Sequence, residues 1–181
     1  MISRWLTTTA ALLIVGPFAL AQDKPPGSPT ETHARMARRA GEYETVSKLT
    51  LPDGKGIESK GSAKLTAVLG GRFLQEESEG SLAGTPVSGL KFFGYNADAG
   101  LFEAVWMYTG STAMMTMTGT MNEEKKSVEF SATVPGPREK KMNFTVVYRF
   151  PDADHFVVDL TARGEDGSKG PTLETTYTRK K

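Results

Sequence analysis

Alternation of apolar and polar residues, repeated in short runs, is the feature that most limits what this chain can fold into. From Glu42 onward the period is two. In residues 58–69, for example, Ala63 and Leu65 lie on one side and Ser62 and Lys64 on the other. The same alternation returns in residues 112–121, 127–134, 142–150 and 156–162. Each run has one polar face and one apolar face, which is typical of a half-buried antiparallel strand.

Short turn sequences separate these runs and set the predicted topology. They read "PDGKG", "GG", "AGTP", "NADAG", "NEEKK", "PGPREKK", "PDAD" and "EDGSKGP", and they divide the chain into about ten strands. No helical segment is long enough for a βαβ crossover, so strands that follow one another are expected to pair. The predicted fold class is all-β, an antiparallel up-and-down barrel of about ten strands. A two-sheet sandwich remains the alternative, because the pattern alone does not show closure.

One short helix is predicted before the first strand, within "SPTETHARMARRAGEY". Ser28 is the expected N-cap, Pro29 suits the first helical position and Glu31 completes a capping box. Gly41 ends the helix after about three turns. The packing side consists of Met36, Ala37 and Ala40. We expect this helix to cover one open end of the barrel.

The first residues, "MISRWLTTTAALLIVGPFALAQ", have the order of a secretory signal. Arg4 is followed by an apolar run and then by the small residues Ala19 and Ala21. The apolar run is too short to span a bilayer, so no membrane anchor is expected after cleavage. The sequence therefore predicts a signal peptide at 1–21, a flexible leader at 22–28 and a single barrel domain at 29–181. The mature protein is expected to be periplasmic or extracellular.

Composition excludes several kinds of function. The chain has 22 basic and 21 acidic residues. Loss of Arg4 with the signal leaves a mature protein without formal net charge, which gives no electrostatic reason to expect binding to nucleic acid or to anionic membranes. The chain contains no cysteine, so disulfides, thiolate nucleophiles and lipid-modified cysteine are excluded.

Several longer motifs resemble a known family. They are the helix running into "GEYE", then "VLGGRFLQEESEG", "GTPVSGLKFFGYNADAGLFEAVWM", "DADHFVVDL" and "TLETTYTR". In this combination the chain resembles the DUF1579 family, exported bacterial proteins of uncharacterised function, over about residues 30–179. The resemblance implies a calycin-type barrel, similar in shape to lipocalins and fatty-acid-binding proteins, and it supplies no activity. The chain departs from the family pattern at Tyr43, where the family usually has Trp.

The junction "LGGRFLQEE" contains the first candidate site residues. Gly70 and Gly71 lead into a strand and not into a helix, which argues against a phosphate-binding loop. A two-residue hairpin turn at these glycines would point Arg72 into the barrel with Glu76 as its partner. A bulge would instead leave Arg72 on the rim. The arginine could close the barrel end, or its guanidinium could receive a ligand carboxylate.

Catalytic and metal sites are poorly represented in the sequence. His33 is expected to be solvated on the helix, and His155 is expected to face outward. No G-x-S-x-G motif is present, and two isolated histidines without cysteine do not form a recognisable zinc set. Met115 and Met117 favour core packing over a copper site. No catalytic residue, metal site or cofactor is predicted.

Aromatic residues predict an internal cavity. Phe102, Ala104, Trp106 and Tyr108 share one face of a strand, and about ten strands enclose more space than side chains easily fill. The predicted partner is a small apolar or amphipathic ligand. Its predicted contacts are Arg72, Glu76, Tyr95, Trp106, Met115, Met117 and Tyr148. The alternatives are a packed structural or protein-interaction barrel, and an enzyme that uses an internal Arg–Glu–Tyr set.

Overall fold

The computed structural model describes residues 27–135 and 141–181. In these residues ten strands form a closed antiparallel barrel, and each strand pairs with its neighbours in sequence. The first and last strands pair with each other and close the barrel, with Tyr43 opposite Arg179. The prediction of an up-and-down barrel is confirmed, and the sandwich alternative is wrong. The predicted signal peptide and residues 22–26 of the predicted leader lie outside the described residues.

The elements follow one another with short connections. The helix α1 covers Glu31–Ala37. The strands are β1 Gly41–Thr50, β2 Gly56–Val68, β3 Phe73–Leu82, β4 Thr85–Asn96, β5 Leu101–Tyr108, β6 Met115–Asn122, β7 Ser127–Pro135, β8 Lys141–Arg149, β9 His155–Gly164 and β10 Lys169–Arg179. Among the described residues no helix combines the length and the apolar character that crossing a membrane requires.

The core lies inside the barrel, on the face that the alternation predicts. Phe130, Val146 and Phe156 are buried, and each lies on the apolar face of its strand. Burial of such side chains contributes about 1.5–3 kcal/mol each, which is the main stabilisation of a chain without disulfides. The alternation of residues 58–69 also predicts Leu69 on the inward face, but Leu69 is 72% exposed because it lies in a loop and not in β2.

The helix is shorter than predicted and begins later. Its N-cap is Thr30 and not Ser28, and it has seven residues. His33 Nδ1 accepts a hydrogen bond from the Thr30 N–H at 3.0 Å. The expectation of a solvated His33 is wrong, because this ring is buried and packs edge-on against Tyr95. Met36 and Ala40 pack against the core as predicted.

The helix lies at one end of the barrel, which we call the helix end. Tyr43 donates its hydroxyl proton to the Arg39 carbonyl at 2.9 Å, and Arg179 donates to the Ala40 carbonyl at 2.7 Å. The loops at 69–72, 97–100, 123–126 and 151–154 lie at this same end. The opposite end, called the open end, carries the loops at 51–55, 83–84, 109–114 and 165–168.

The glycine junction forms a loop longer than two residues. Val68 pairs with Phe73, so residues 69–72 all belong to the loop. Gly70 and Gly71 have φ angles of 68° and 79°, in the left-handed region that glycine tolerates best. Of the two positions expected for Arg72, the structure has it at the end of the barrel and not inside, because β3 begins only after it. Arg72 donates to the Gly27 carbonyl at 2.9 Å and to the Leu69 carbonyl at 3.3 Å.

Candidate functional site

A group of buried polar side chains crosses the middle of the barrel. Glu76 on β3 lies directly opposite Lys91 on β4, and Lys91 Nζ is 2.7 Å from Glu76 Oε1. Tyr177 on β10 donates its hydroxyl proton to the same oxygen at 3.0 Å and lies 3.4 Å from Lys91 Nζ. The Glu76 side chain is 1% exposed and that of Lys91 is 11% exposed. We call Glu76, Lys91, Tyr148 and Tyr177 the polar layer.

The polar layer changes the acidity of its members. Burial acts to lower the pKa of Lys91, but the Glu76 carboxylate and the hydrogen-bonded Tyr148 hydroxyl raise this pKa above its usual value. Burial and the Glu76 charge raise the pKa of Tyr177 well above its usual value of 10.0. Burial also raises the pKa of Tyr148, against the opposing effect of Lys91. At neutral pH both tyrosines are therefore hydrogen-bond donors, and Lys91 is a cation.

A cavity of about 490 Å³ lies between the polar layer and the helix. Most of its wall is apolar. Leu65, Leu74, Phe93, Phe130, Phe150 and Phe156 line it. Glu76 and Tyr148 are the members of the polar layer that face it. We call it the helix-end cavity, because its mouth lies among the helix and the loops of that end.

The mouth of the helix-end cavity is rich in cations. It carries the carboxylate of Glu123 and four basic residues, Arg35, Arg38, Arg39 and Lys126. Arg35 pairs with Glu123 at 3.2 Å, and Arg38 pairs with Glu31 at 3.0 Å.

Within residues 27–135 and 141–181, the other two cations at the mouth have no carboxylate within ion-pair distance. Arg39 donates to the Asp152 and Ala153 carbonyls. For Lys126 the described part of the chain contains no ion-pair partner. Asp152 and Asp154 lie in the adjacent loop, where they pair with His155 and Arg179.

A second cavity, of about 320 Å³, lies on the other side of the polar layer and is called the open-end cavity. Lys91, Trp106 and Met115 line its inner part, and hydroxyl groups line much of its wall. Trp106 stacks on Tyr108 with ring centroids 4.9 Å apart, and Lys91 Nζ lies 5.4 Å from the Trp106 ring centroid. Gly89 leaves room for Ser78 and for this indole, because a β-carbon there would be 2.7 Å from Ser78 Oγ and 3.3 Å from Trp106 Nε1.

Two buried polar atoms next to these cavities have no hydrogen-bond partner among the described residues. One is Glu76 Oε2, and the other is Trp106 Nε1. Buried polar atoms are nearly always hydrogen bonded, so such exceptions indicate places where a ligand or an ordered water can bind.

The predicted ligand contacts divide into separate groups. Glu76 and Tyr148 line the helix-end cavity, whereas Trp106 and Met115 line the open-end cavity. Met117 lies in the packed core. Tyr95 packs against His33 and Phe102 beneath the helix. Arg72 lies in its loop and lines neither cavity, so the structure does not bring it together with Glu76 as the alternative Arg–Glu–Tyr set requires.

Lys91 and Tyr177 are the site residues that the sequence reasoning missed. Lys91 precedes Phe93 by two residues and therefore shares its inward side. Leu82 pairs with Thr85 across the turn at Ala83 and Gly84, and this register places Glu76 opposite Lys91. Counting pairs back from that turn could have identified the ion pair from sequence alone. Tyr177 lies on the inward side of "TLETTYTR" by the same alternation.

Other chemistry has little structural support in the described part of the chain. No group of three or more His, Cys, Asp or Glu residues is placed to hold a metal ion there. His155 is exposed, as predicted, and pairs with Asp152 at 2.9 Å.

Comparison with known proteins agrees with this architecture. A family model described as "Protein of unknown function (DUF1579)" matches residues 28–179. No curated protein matches the chain. The crystal structure of Rv2717c from M. tuberculosis has a TM-score of 0.65 at 15% identity, covering 85% of this chain and 100% of that one. The S-type phycobiliprotein lyase CPES from Guillardia theta has a TM-score of 0.54 at 14% identity, with coverage of 86% and 95%. At these identities the likeness is one of calycin-like fold.

Proposed function

The chain belongs to the DUF1579 family of proteins of unknown function, and from that premise we propose that it is a binding barrel for a small amphipathic molecule. The ligand occupies the helix-end cavity, with its apolar part inside the barrel and its polar head at the mouth. The observation that carries this proposal is the cavity itself, about 490 Å³ with a mostly apolar wall. That volume lies within the range of roughly 300–1,000 Å³ that is usual for small-molecule sites.

The charges at the mouth favour an anionic head group. Two of the four cations are paired with carboxylates, which leaves Arg39 and Lys126 available to attract a further negative charge. Arg39 is held in place by two carbonyls and by contact with the Phe150 ring at 4.9 Å. A guanidinium fixed in this way binds a carboxylate or phosphate with little loss of side-chain entropy.

We also propose that the protein works outside the cytoplasm. This proposal rests on the order of Arg4, the apolar run and the small residues at Ala19 and Ala21.

Binding of decanoate, measured by isothermal titration calorimetry, tests the ligand class. Decanoate should bind more tightly than decyltrimethylammonium, because the two have similar tails and opposite head-group charges. Lys126→Gln should weaken decanoate binding by about twofold to fivefold, the usual value of one partly exposed charge contact. Lys64→Gln is the matched control, since Lys64 is an exposed lysine on the outer face of β2.

The position of the ligand is tested by filling the cavity. Met121 is partly buried and lines the helix-end cavity, so Met121→Trp should abolish decanoate binding while the circular dichroism spectrum stays that of the wild type. Absence of binding by the wild-type protein to both amphiphiles would refute the proposal and favour a barrel that acts through its surface.

A further inference from the structure

We propose that the helix-end cavity selects molecules that carry a neutral hydrogen-bond donor at the end that enters the barrel first, and that Glu76 Oε2 is its acceptor. The inference rests on the proposed function and specifies the chemistry of its ligand. A hydroxyl group or an amide N–H at the buried end of an otherwise apolar chain would meet this requirement.

The two oxygens of the Glu76 carboxylate have different surroundings. Oε1 receives hydrogen bonds from Lys91 at 2.7 Å and from Tyr177 at 3.0 Å. Oε2 has no partner among the described residues, although the side chain is only 1% exposed. A buried carboxylate oxygen without a donor is costly, so a ligand that brings a donor gains more here than it would in water.

No member of the polar layer donates a hydrogen bond to Glu76 Oε2. Lys91 is hydrogen bonded to Glu76 Oε1 and to the Tyr177 hydroxyl. The Tyr177 hydroxyl proton is directed at Oε1. Of the two cavities, only the helix-end cavity is lined by Glu76, so a ligand donor would approach Oε2 from the helix-end side.

Charge balance favours a neutral donor over a cation. The negative charge of Glu76 is already balanced by Lys91. A cationic group would also have to pass Arg39 and Lys126 at the mouth. A hydroxyl group adds a hydrogen bond to an ionised acceptor, one of the stronger kinds in proteins, without burying a further charge.

The depth of the site sets the length of the ligand. Glu76 lies three residues beyond Phe73, where β3 begins at the helix end, which corresponds to about 10 Å along the strand. A chain of about ten atoms therefore separates a donor at Glu76 from a head group at the mouth. Suitable probes are 10-hydroxydecanoate, decanoate and 10-methoxydecanoate, because only the first carries a donor at the end of its chain.

Calorimetric titration of the wild-type protein with these three probes is the first test. We expect 10-hydroxydecanoate to bind about tenfold to 150-fold more tightly than decanoate, the usual net effect of a hydrogen bond to a charged group. The 10-methoxydecanoate should have no such advantage, because its ether oxygen is an acceptor only. This comparison needs no variant, so it does not depend on the folding of any altered protein.

The double variant Glu76→Leu/Lys91→Met is the second test. It replaces the ion pair by apolar side chains, and its fold is checked by circular dichroism. In this variant the preference for 10-hydroxydecanoate over decanoate should disappear.

The outcomes distinguish the inference from the function on which it rests. Equal affinity of the wild type for decanoate and 10-hydroxydecanoate overturns the inference and leaves the proposed function intact. A preference that persists in the double variant also overturns it, because the acceptor then lies elsewhere. If none of the three probes binds to the wild-type protein, the proposed function itself fails.

Discussion

Removal of Glu76 alone should destabilise the barrel more than any exposed charge substitution. Glu76→Leu leaves the Lys91 ammonium in the interior, where its side chain is 11% exposed and its carboxylate partner is gone. Two opposite charges about 4 Å apart attract each other by about 4 kcal/mol at the effective dielectric constant of a protein. Breaking a buried pair on one side costs about 3–5 kcal/mol. We expect a loss in that range for Glu76→Leu.

Variants of Lys91 complete a double-mutant cycle with Glu76→Leu, and this cycle separates the energetic effect of the charges from that of the side-chain packing. Lys91→Met alone leaves the Glu76 carboxylate unpaired and should cost about the same, 3–5 kcal/mol. The double variant Glu76→Leu/Lys91→Met buries no charge, but it takes hydrogen-bond partners from the Tyr177 hydroxyl. It should therefore lie within about 2 kcal/mol of the wild type. The two single losses should be far from additive.

Urea unfolding followed by circular dichroism and by Trp106 fluorescence measures all four proteins. The control is the same cycle at Arg35 and Glu123, whose side chains are 46% and 66% exposed and whose coupling should be below about 1 kcal/mol. A Glu76→Leu protein within 1 kcal/mol of the wild type, or a buried coupling no larger than the control, would contradict this reasoning.

Three further predictions follow from other features. Folding raises the pKa values of Lys91, Tyr148 and Tyr177 above their usual values. The free energy of unfolding should therefore be constant up to about pH 10 and then fall by about 1.4 kcal/mol per pH unit for each group. Gly71 has a φ of 79°, so Gly71→Val should cost about 1–3 kcal/mol in urea titrations, and Gly71→Asn much less. N-terminal sequencing of the exported protein should begin at Gln22, and an uncut cytoplasmic protein would contradict export.

The barrel could be predicted from sequence because the alternation that identifies each strand is a local pattern. Alternation identifies the inward side of each strand, and Val128, Phe130 and Tyr148 are all buried as their positions imply. The start of the helix could not be fixed in the same way. Ser28 and Thr30 are both acceptable N-caps by residue type, and the structure has Thr30 with His33, a ring that also packs against Tyr95 of β4. That choice depends on a tertiary contact.

For the pair Arg72 and Glu76, the sequence predicted the inward position of Glu76 but not the position of Arg72. The inward side of Glu76 depended on the two-residue turn assumed at Gly70 and Gly71, and Glu76 is buried as that turn implies because the four-residue loop keeps the same register. The inward side of Arg72 followed from an assumed turn length, and two additional loop residues were enough to remove it from the strand. The true partner, Lys91, comes from the opposite hairpin, where the turn is short.

Height along the barrel axis is the information that alternation does not contain. Two residues can both point inward and still lie at different levels, because strands in a closed barrel are tilted and staggered. Glu76 and Tyr177, 101 residues apart, meet only because β1 and β10 close the barrel. Their meeting places a charged and hydrogen-bonded layer across the interior, and this layer divides one expected pocket into two. Each cavity then borders one unpartnered polar atom, an acceptor at Glu76 and a donor at Trp106. Pairing of the first and last strands decides which inward residues lie at the same level. The hydrogen-bonding requirement of each cavity therefore depends on closure of the barrel.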